Sequence, residues 1–168
     1  TSVKLPGYTF AEGIYQGVRT TVYRAIETVA QRSVVIKILD QEYPSFRDLV
    51  QFRNQYTVAK HLPIEGIVRP IRLENWGNGY ALVMEDFGGV DLGRYIQRHT
   101  LNLADTLNIA VQLAAVLHNL HQHQVMHKDI KPANILIHPV SKQIKLIDFS
   151  LASLLPKETQ IVQAPLSL

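Results

Sequence analysis

The sequence predicts an α+β fold in two parts: a five-stranded antiparallel sheet carrying one helix, then a mainly helical part. Three observations predict it. Up to about residue 86, short runs rich in Val, Ile, Tyr and Thr recur between Gly or polar turns, with a single stretch of helical spacing among them. Beyond Gly88-Gly89 lies a long segment, residues 104–122, that is apolar almost all round. The 168 residues are 46% hydrophobic and only 18% charged, enough to bury a core and unlike a disordered chain.

Taken in order, Tyr8–Gly13, Thr21–Ala25 and Ser33–Leu39 read as strands. Val34-Val35-Ile36-Lys37-Ile38 is almost wholly apolar with one lysine inside it; by itself such a lysine reads as a snorkelling side chain on an edge strand. Pro44 breaks the chain, and Ser45 followed by Asp48 is the pattern of a capped helix start. Helical spacing then runs through Phe52, Tyr56, Ala59 and Leu62 until Pro63, with Gln55 beside that stripe. Val68–Asn75 and Gly79–Glu85 complete the strands, joined by Trp76-Gly77-Asn78.

In the second part, Leu107, Ile109, Ala110, Val111, Leu113, Ala114, Val116, Leu117 and Leu120 cover the helix on nearly every side, which predicts packing on several faces. Asn134–Ile137 and Ile144–Ile147 read as a short hairpin across Pro139–Gln143. A net charge of +3 with scattered basic residues gives no footprint for nucleic acid. With no cysteine, disulfides, thiolate metal sites and cysteine nucleophiles are excluded. The stretch TSVKLPGYTF lacks the basic-then-apolar order of a signal peptide and no run approaches membrane-spanning length, so the expectation is a soluble cytoplasmic protein without a membrane partner.

The chemistry concentrates in His127-Lys128-Asp129-Ile130-Lys131-Pro132-Ala133-Asn134. This segment resembles the catalytic loop of protein kinases, H-x-D-x-K-P-x-N, with every polar member in register. The resemblance implies a protein-kinase-like fold: a complete amino-terminal lobe, residues 1–86, then a hinge and a partial helical carboxy-terminal lobe, 87–168, ending just after Asp148-Phe149-Ser150. It implies transfer of a phosphoryl group from Mg·ATP to Ser/Thr hydroxyls of a protein substrate. Asp129 would orient or deprotonate the hydroxyl, and Lys131 would stabilise the transferring charge. Asn134 and Asp148 would hold Mg2+, and Lys37 would pair with the nucleotide phosphates. By register, Met84-Glu85-Asp86-Phe87 is similar to the hinge, where backbone groups of Glu85 and Phe87 would meet adenine; Asp91 stands where an acidic residue often meets the ribose. Gly17 and Val22 belong to the phosphate-covering loop, Tyr15 to Val22. Lys131 in this pattern favours Ser/Thr specificity. A narrower resemblance, carried by Pro6-Gly7-Tyr8, Gly17 to Arg24 and Ile147 to Ser150, is to the kinase domain at the start of bacterial hybrid Ser/Thr kinase–sensor histidine kinase proteins.

Departures from the family pattern qualify that function. Only Gly17 remains of three loop glycines, with Arg19 a candidate source of compensating charge. Gln55 stands where the family places a glutamate against the strand lysine, and a neutral acceptor makes a bond about half as strong as a charged one. Ser150 replaces a glycine. There is no A-P-E motif, and Ile161–Leu168 does not resemble what the family has next, so a fragment, a truncated form or a chain completed by a partner is expected. Leaving the long helix wet would forfeit about 1.5–3 kcal/mol per large side chain. These departures also support an alternative, a pseudokinase-like interaction module that binds nucleotide without turnover. His118, His121, His123 and His127 invite a metal reading, set against exposed histidines at a helix end.

Overall fold

Residues 3–156 are described by the structure, a computed structural model; Ile161–Leu168 lies outside the described residues. The first part contains β1 (Tyr8–Gln16), β2 (Thr20–Glu27), β3 (Arg32–Leu39), α1 (Phe46–Ala59), β4 (Pro70–Trp76) and β5 (Gly79–Glu85). The five strands form one antiparallel sheet in the order β1-β2-β3-β5-β4. β1 continues past its expected end at Gly13 because two register shifts, at Phe10/Glu12 and Gly13/Tyr15, bend it and let pairing with β2 resume. β3 lies between β2 and β5, so Lys37 is on an interior strand and the edge-strand expectation is corrected.

Strand alternation sorts the side chains of this sheet onto two faces. Ala25, Val34, Ile36, Ile38, Ala81 and Val83 are buried together on one face, under Leu5, Tyr8 and Phe10. Leu39 and Leu82 turn to the other face and pack against Phe52 of α1. Lys37, two residues before Leu39, shares that helix-facing side. α1 begins as its sequence predicts: the Asp48 amide donates to Ser45 Oγ at 3.2 Å and the Ser45 amide donates to Asp48 Oδ2 at 3.1 Å. It ends at Ala59, earlier than the stripe through Leu62 suggested; the Leu62 amide instead closes a turn on the Ala59 carbonyl at 3.1 Å.

The second part runs through β6 (Val90–Asp91), α2 (Leu92–Arg98), α3 (Leu103–Gln122), β7 (Val125–Met126), a 3-10 turn at Pro132–Asn134, β8 (Ile135–Ile137), β9 (Ile144–Leu146) and β10 (Ser153–Leu154). The hairpin β8/β9 matches expectation apart from Asn134, which belongs to the turn, and Ile147, which lies just past the end of β9; β6 extends it to three strands, and β10 pairs with β7. Ile109, Val116 and Leu120 of α3 are buried with Ile135, Ile137 and Leu146. The expectation of packing on several faces is corrected: among the described residues Leu103, Leu107 and Val111 are exposed, so α3 buries one stripe. Residues 64–68 stitch the parts together, the Leu146 amide donating to the Gly66 carbonyl at 2.8 Å and the Val68 amide to the Leu146 carbonyl at 3.0 Å. Among the described residues, no helix is long and apolar enough to cross a membrane.

Candidate active site

The loop after β7 is organised around His127, which is buried. The Asp129 amide donates to His127 Nδ1 at 3.2 Å, so Nε2 carries the proton and donates to the Ile147 carbonyl at 2.8 Å. The ring also meets Phe149 edge-on, centroids 4.8 Å apart. One neutral imidazole therefore joins the Asp129 loop to the segment around Asp148. The expectation that all four histidines are exposed is corrected at His127; His118, His121 and His123 are exposed, and no three potential metal-binding side chains cluster among the described residues.

Asp129 is held from two sides. Asn134 Nδ2 donates to Asp129 Oδ2 at 2.8 Å and to its backbone carbonyl at 2.9 Å, while Lys131 Nζ stands 3.2 Å from the same Oδ2. Asp129 Oδ1 accepts no hydrogen bond among the described residues, and neither does Asn134 Oδ1. The Ile147 amide donates to the Asn134 carbonyl at 3.0 Å, bringing the chain at Asn134 beside Asp148.

Asp148 has a positive φ of 65°, a left-handed backbone that costs a non-glycine residue strain and recurs at functional sites. Its Oδ1 accepts the Ser150 amide at 3.2 Å, and its Oδ2 lies 3.3 Å from Lys37 Nζ. Burial pushes this carboxyl up, but the Lys37 ammonium and the Ser150 hydrogen bonds outweigh it, so Asp148 sits below the usual aspartate range. Lys37 Nζ also donates to Gln55 Oε1 at 2.9 Å. Gln55 thus reaches the lysine as its register suggested, with a neutral oxygen. Next to it on α1, Asn54 donates to three carbonyls, of Phe149, Ser150 and Ala152, at 3.1, 3.0 and 2.9 Å. Sequence reasoning missed Asn54, since a lone asparagine in a helix carries no spacing signal.

Val22 pairs directly with Lys37 across β2 and β3. Gly17 sits in the tight turn between β1 and β2, its amide donating to the Thr20 carbonyl at 2.9 Å. The Tyr15 ring lies against it, 2.9 Å from where a Cβ would stand, and Arg94 of α2 approaches that ring at 5.8 Å. The Arg19 side chain, a candidate source of phosphate-facing charge, has its Nη1 bonded to Asp48 Oδ1 of α1 at 2.8 Å.

At the link between the parts, the Glu85 carboxylate takes Lys145 at 2.6 Å and the Arg69 amide at 2.9 Å, while the Glu85 amide donates to the Arg69 carbonyl. The backbone of Phe87 makes no hydrogen bond among the described residues. Asp86 accepts from Arg24 at 2.8 Å, Ser33 at 2.6 Å and the Gly88 amide at 3.0 Å. Asp91 caps α2 through the Arg94 amide at 2.9 Å and pairs with the Arg94 guanidinium at 3.2 Å. The structure therefore joins Asp129, Lys131 and Asn134 in one contact set and Lys37, Gln55 and Asp148 in another, meeting at Ile147. Gly17, Glu85, Phe87 and Asp91 stand outside both. The open Oδ1 of Asn134 and the Asp148 carboxylate, whose oxygens are taken here by Ser150 and Lys37, are hard oxygen donors of the kind that fits Mg2+.

The family description "Protein kinase domain" matches residues 8–166. The chain is 34% identical over 154 residues to serine/threonine-protein kinase PrkC of Bacillus subtilis, covering 90% of this chain and 24% of PrkC. It is 32% identical over 162 residues to serine/threonine-protein kinase PkaA of Streptomyces coelicolor, covering 88% of the chain and 30% of PkaA. To serine/threonine-protein kinase ULK3 of Rattus norvegicus it is 30% identical over 153 residues, 89% of the chain and 32% of that protein. The chain thus spans between a quarter and a third of the length of these relatives.

Proposed function

The chain belongs to the protein kinase family, and from that premise we propose that it serves transfer of the γ-phosphoryl group of ATP to serine or threonine hydroxyls of a protein, with Mg2+ as cofactor. The observation that carries this is the state of Asp129: its Oδ2 is fixed by Asn134 and Lys131 while its Oδ1 is left open as an acceptor. An incoming hydroxyl donates to Oδ1, which orients its oxygen for in-line attack and accepts the proton as the new O–P bond forms and the bond from the γ-phosphorus to the β–γ bridging oxygen breaks, releasing ADP. Lys131, more than half exposed at 54%, swings from Asp129 towards the transferring group and offsets its charge.

Asn134 Oδ1 and Asp148 would hold Mg2+, which neutralises phosphate charge when bound. Lys37 would exchange its bond to Asp148 for the phosphates and stay tethered by Gln55. The free backbone of Phe87, with Glu85, would meet the adenine, Asp91 the ribose, and Gly17 with Val22 would cover the phosphates. Within this proposal the protein works in the cytoplasm. The narrower likeness to bacterial hybrid kinases, and apolar cover over Leu103, Leu107 and Val111 by a further segment or a partner, belong to the same proposal.

A second reading, nucleotide binding without turnover, is favoured by one observation: Lys37 is held by a neutral Gln55 and bonded directly to Asp148. Phosphotransfer to a generic Ser/Thr substrate protein separates the two. The kinase reading expects transfer that Asp129→Asn abolishes; ATP binding with no transfer by the wild type supports the second reading.

A further inference from the structure

The three carbonyls gathered on Asn54 come from the residues that immediately follow Asp148. Carbonyl oxygens only accept, so the group facing them must be the NH2, whose two hydrogens are shared among three acceptors. Three converging carbonyl dipoles would repel one another without that donor. Asp148 needs such a hold more than most carboxylates. Its backbone is left-handed, it is not glycine, and neither of its next two residues, Phe149 and Ser150, is glycine. The Lys37–Gln55 bond links α1 to this region only through a neutral acceptor.

We infer that Asn54 is a positioning residue for the Mg2+ site: it clamps the 149–152 backbone to α1 and so fixes the direction of the Asp148 carboxylate. This rests on the reading of Asp148 as a Mg2+ ligand. Asn54 donates to backbone carbonyls and to none of Lys37, Asn134 or Asp148, so its removal weakens the metal's contribution and leaves metal-free nucleotide binding intact.

The test is calorimetric titration of the chain with ATP, with and without Mg2+. In wild type Mg2+ strengthens ATP binding; Asn54→Ala keeps the Mg2+-free affinity and loses about tenfold of the enhancement, the usual scale for an outer partner of a metal ligand. Asn54→Asp loses at least as much, because a carboxylate of nearly the same size presents acceptors to acceptors. A packing role would rank Asp above Ala, so that order overturns the inference, as does an undiminished enhancement in Asn54→Ala. Independently of any variant, the Asn54 side-chain NH2 of the wild type exchanges slowly with solvent, and free exchange contradicts the clamp. No ATP binding by wild type overturns the underlying kinase reading itself.

Discussion

Lys37 on β3 and Asp148 after β9, 111 residues apart in sequence, meet at 3.3 Å. Gln55 holds the same ammonium from α1 at 2.9 Å. The sheet, the helix and the segment after β9 therefore share one cation, and Asp148 is its one carboxylate partner among the described residues. With 26% of the Asp148 side chain exposed, water screens part of that attraction, so the pair is one that arriving phosphates can open.

Replacing Gln55 by Glu gives Lys37 a second charged partner. A charge-assisted hydrogen bond exceeds a neutral one by about 1 kcal/mol, so Mg·ATP affinity rises about fivefold as Lys37 leaves Asp148 for Glu and the phosphates. Titration of the variant checks this, and weaker binding than wild type contradicts it.

Asp86 governs an acid-side loss of stability. Burial raises its carboxyl, but Ser33, the Gly88 amide and Arg24 outweigh this and hold it below the ordinary 3.8. Its contribution is therefore fully present above 3.8 and is lost as pH falls through the lower folded-state value. Asp86→Asn removes about 1–2 kcal/mol at neutral pH, and the gap to wild type closes below that range. Denaturant melts at stepped pH measure it; a gap that persists in acid refutes the assignment.

Along α3, burial rather than residue type sets the cost of truncation. Leu120 is 1% exposed and Leu107 is 56% exposed. Leu120→Ala lowers stability by about 2–5 kcal/mol, while Leu107→Ala stays within about 0.5 kcal/mol. Equal losses at both positions would show that the outer face of α3 is covered in solution.

Arg19 is held by Asp48 of α1 at 2.8 Å. Arg19→Ala consequently leaves Mg·ATP affinity unchanged in the same titration. A clear loss of affinity would place Arg19 in the phosphate site instead.

Much of this architecture is written in local chemistry. The Ser45/Asp48 pair is a capping box because the two groups satisfy each other within four residues, and Gly79–Glu85 is a strand from end to end. The order His127, Asp129, Lys131, Asn134 announces its chemistry because loop contacts at short range fix those residue types. What sequence reading missed depends on distant partners. α2 has only seven residues, too few for a helical period to emerge, and β7 and β10 are two residues each, defined only by their pairing. Asn54 meets its carbonyls 95 to 98 residues away, and Arg19 finds Asp48 across 29. The long apolar helix misled in the other direction, since composition reports what a helix is able to bury and not what is packed against it.

The most direct test is thermal unfolding of the chain with and without Mg·ATP, alongside Lys37→Ala. A site assembled as described gives a cooperative transition that Mg·ATP raises in the wild type and leaves unmoved in the variant. A wild-type transition that Mg·ATP does not raise, or raises equally in Lys37→Ala, would contradict the proposal that Lys37, Asn134 and Asp148 form a nucleotide site.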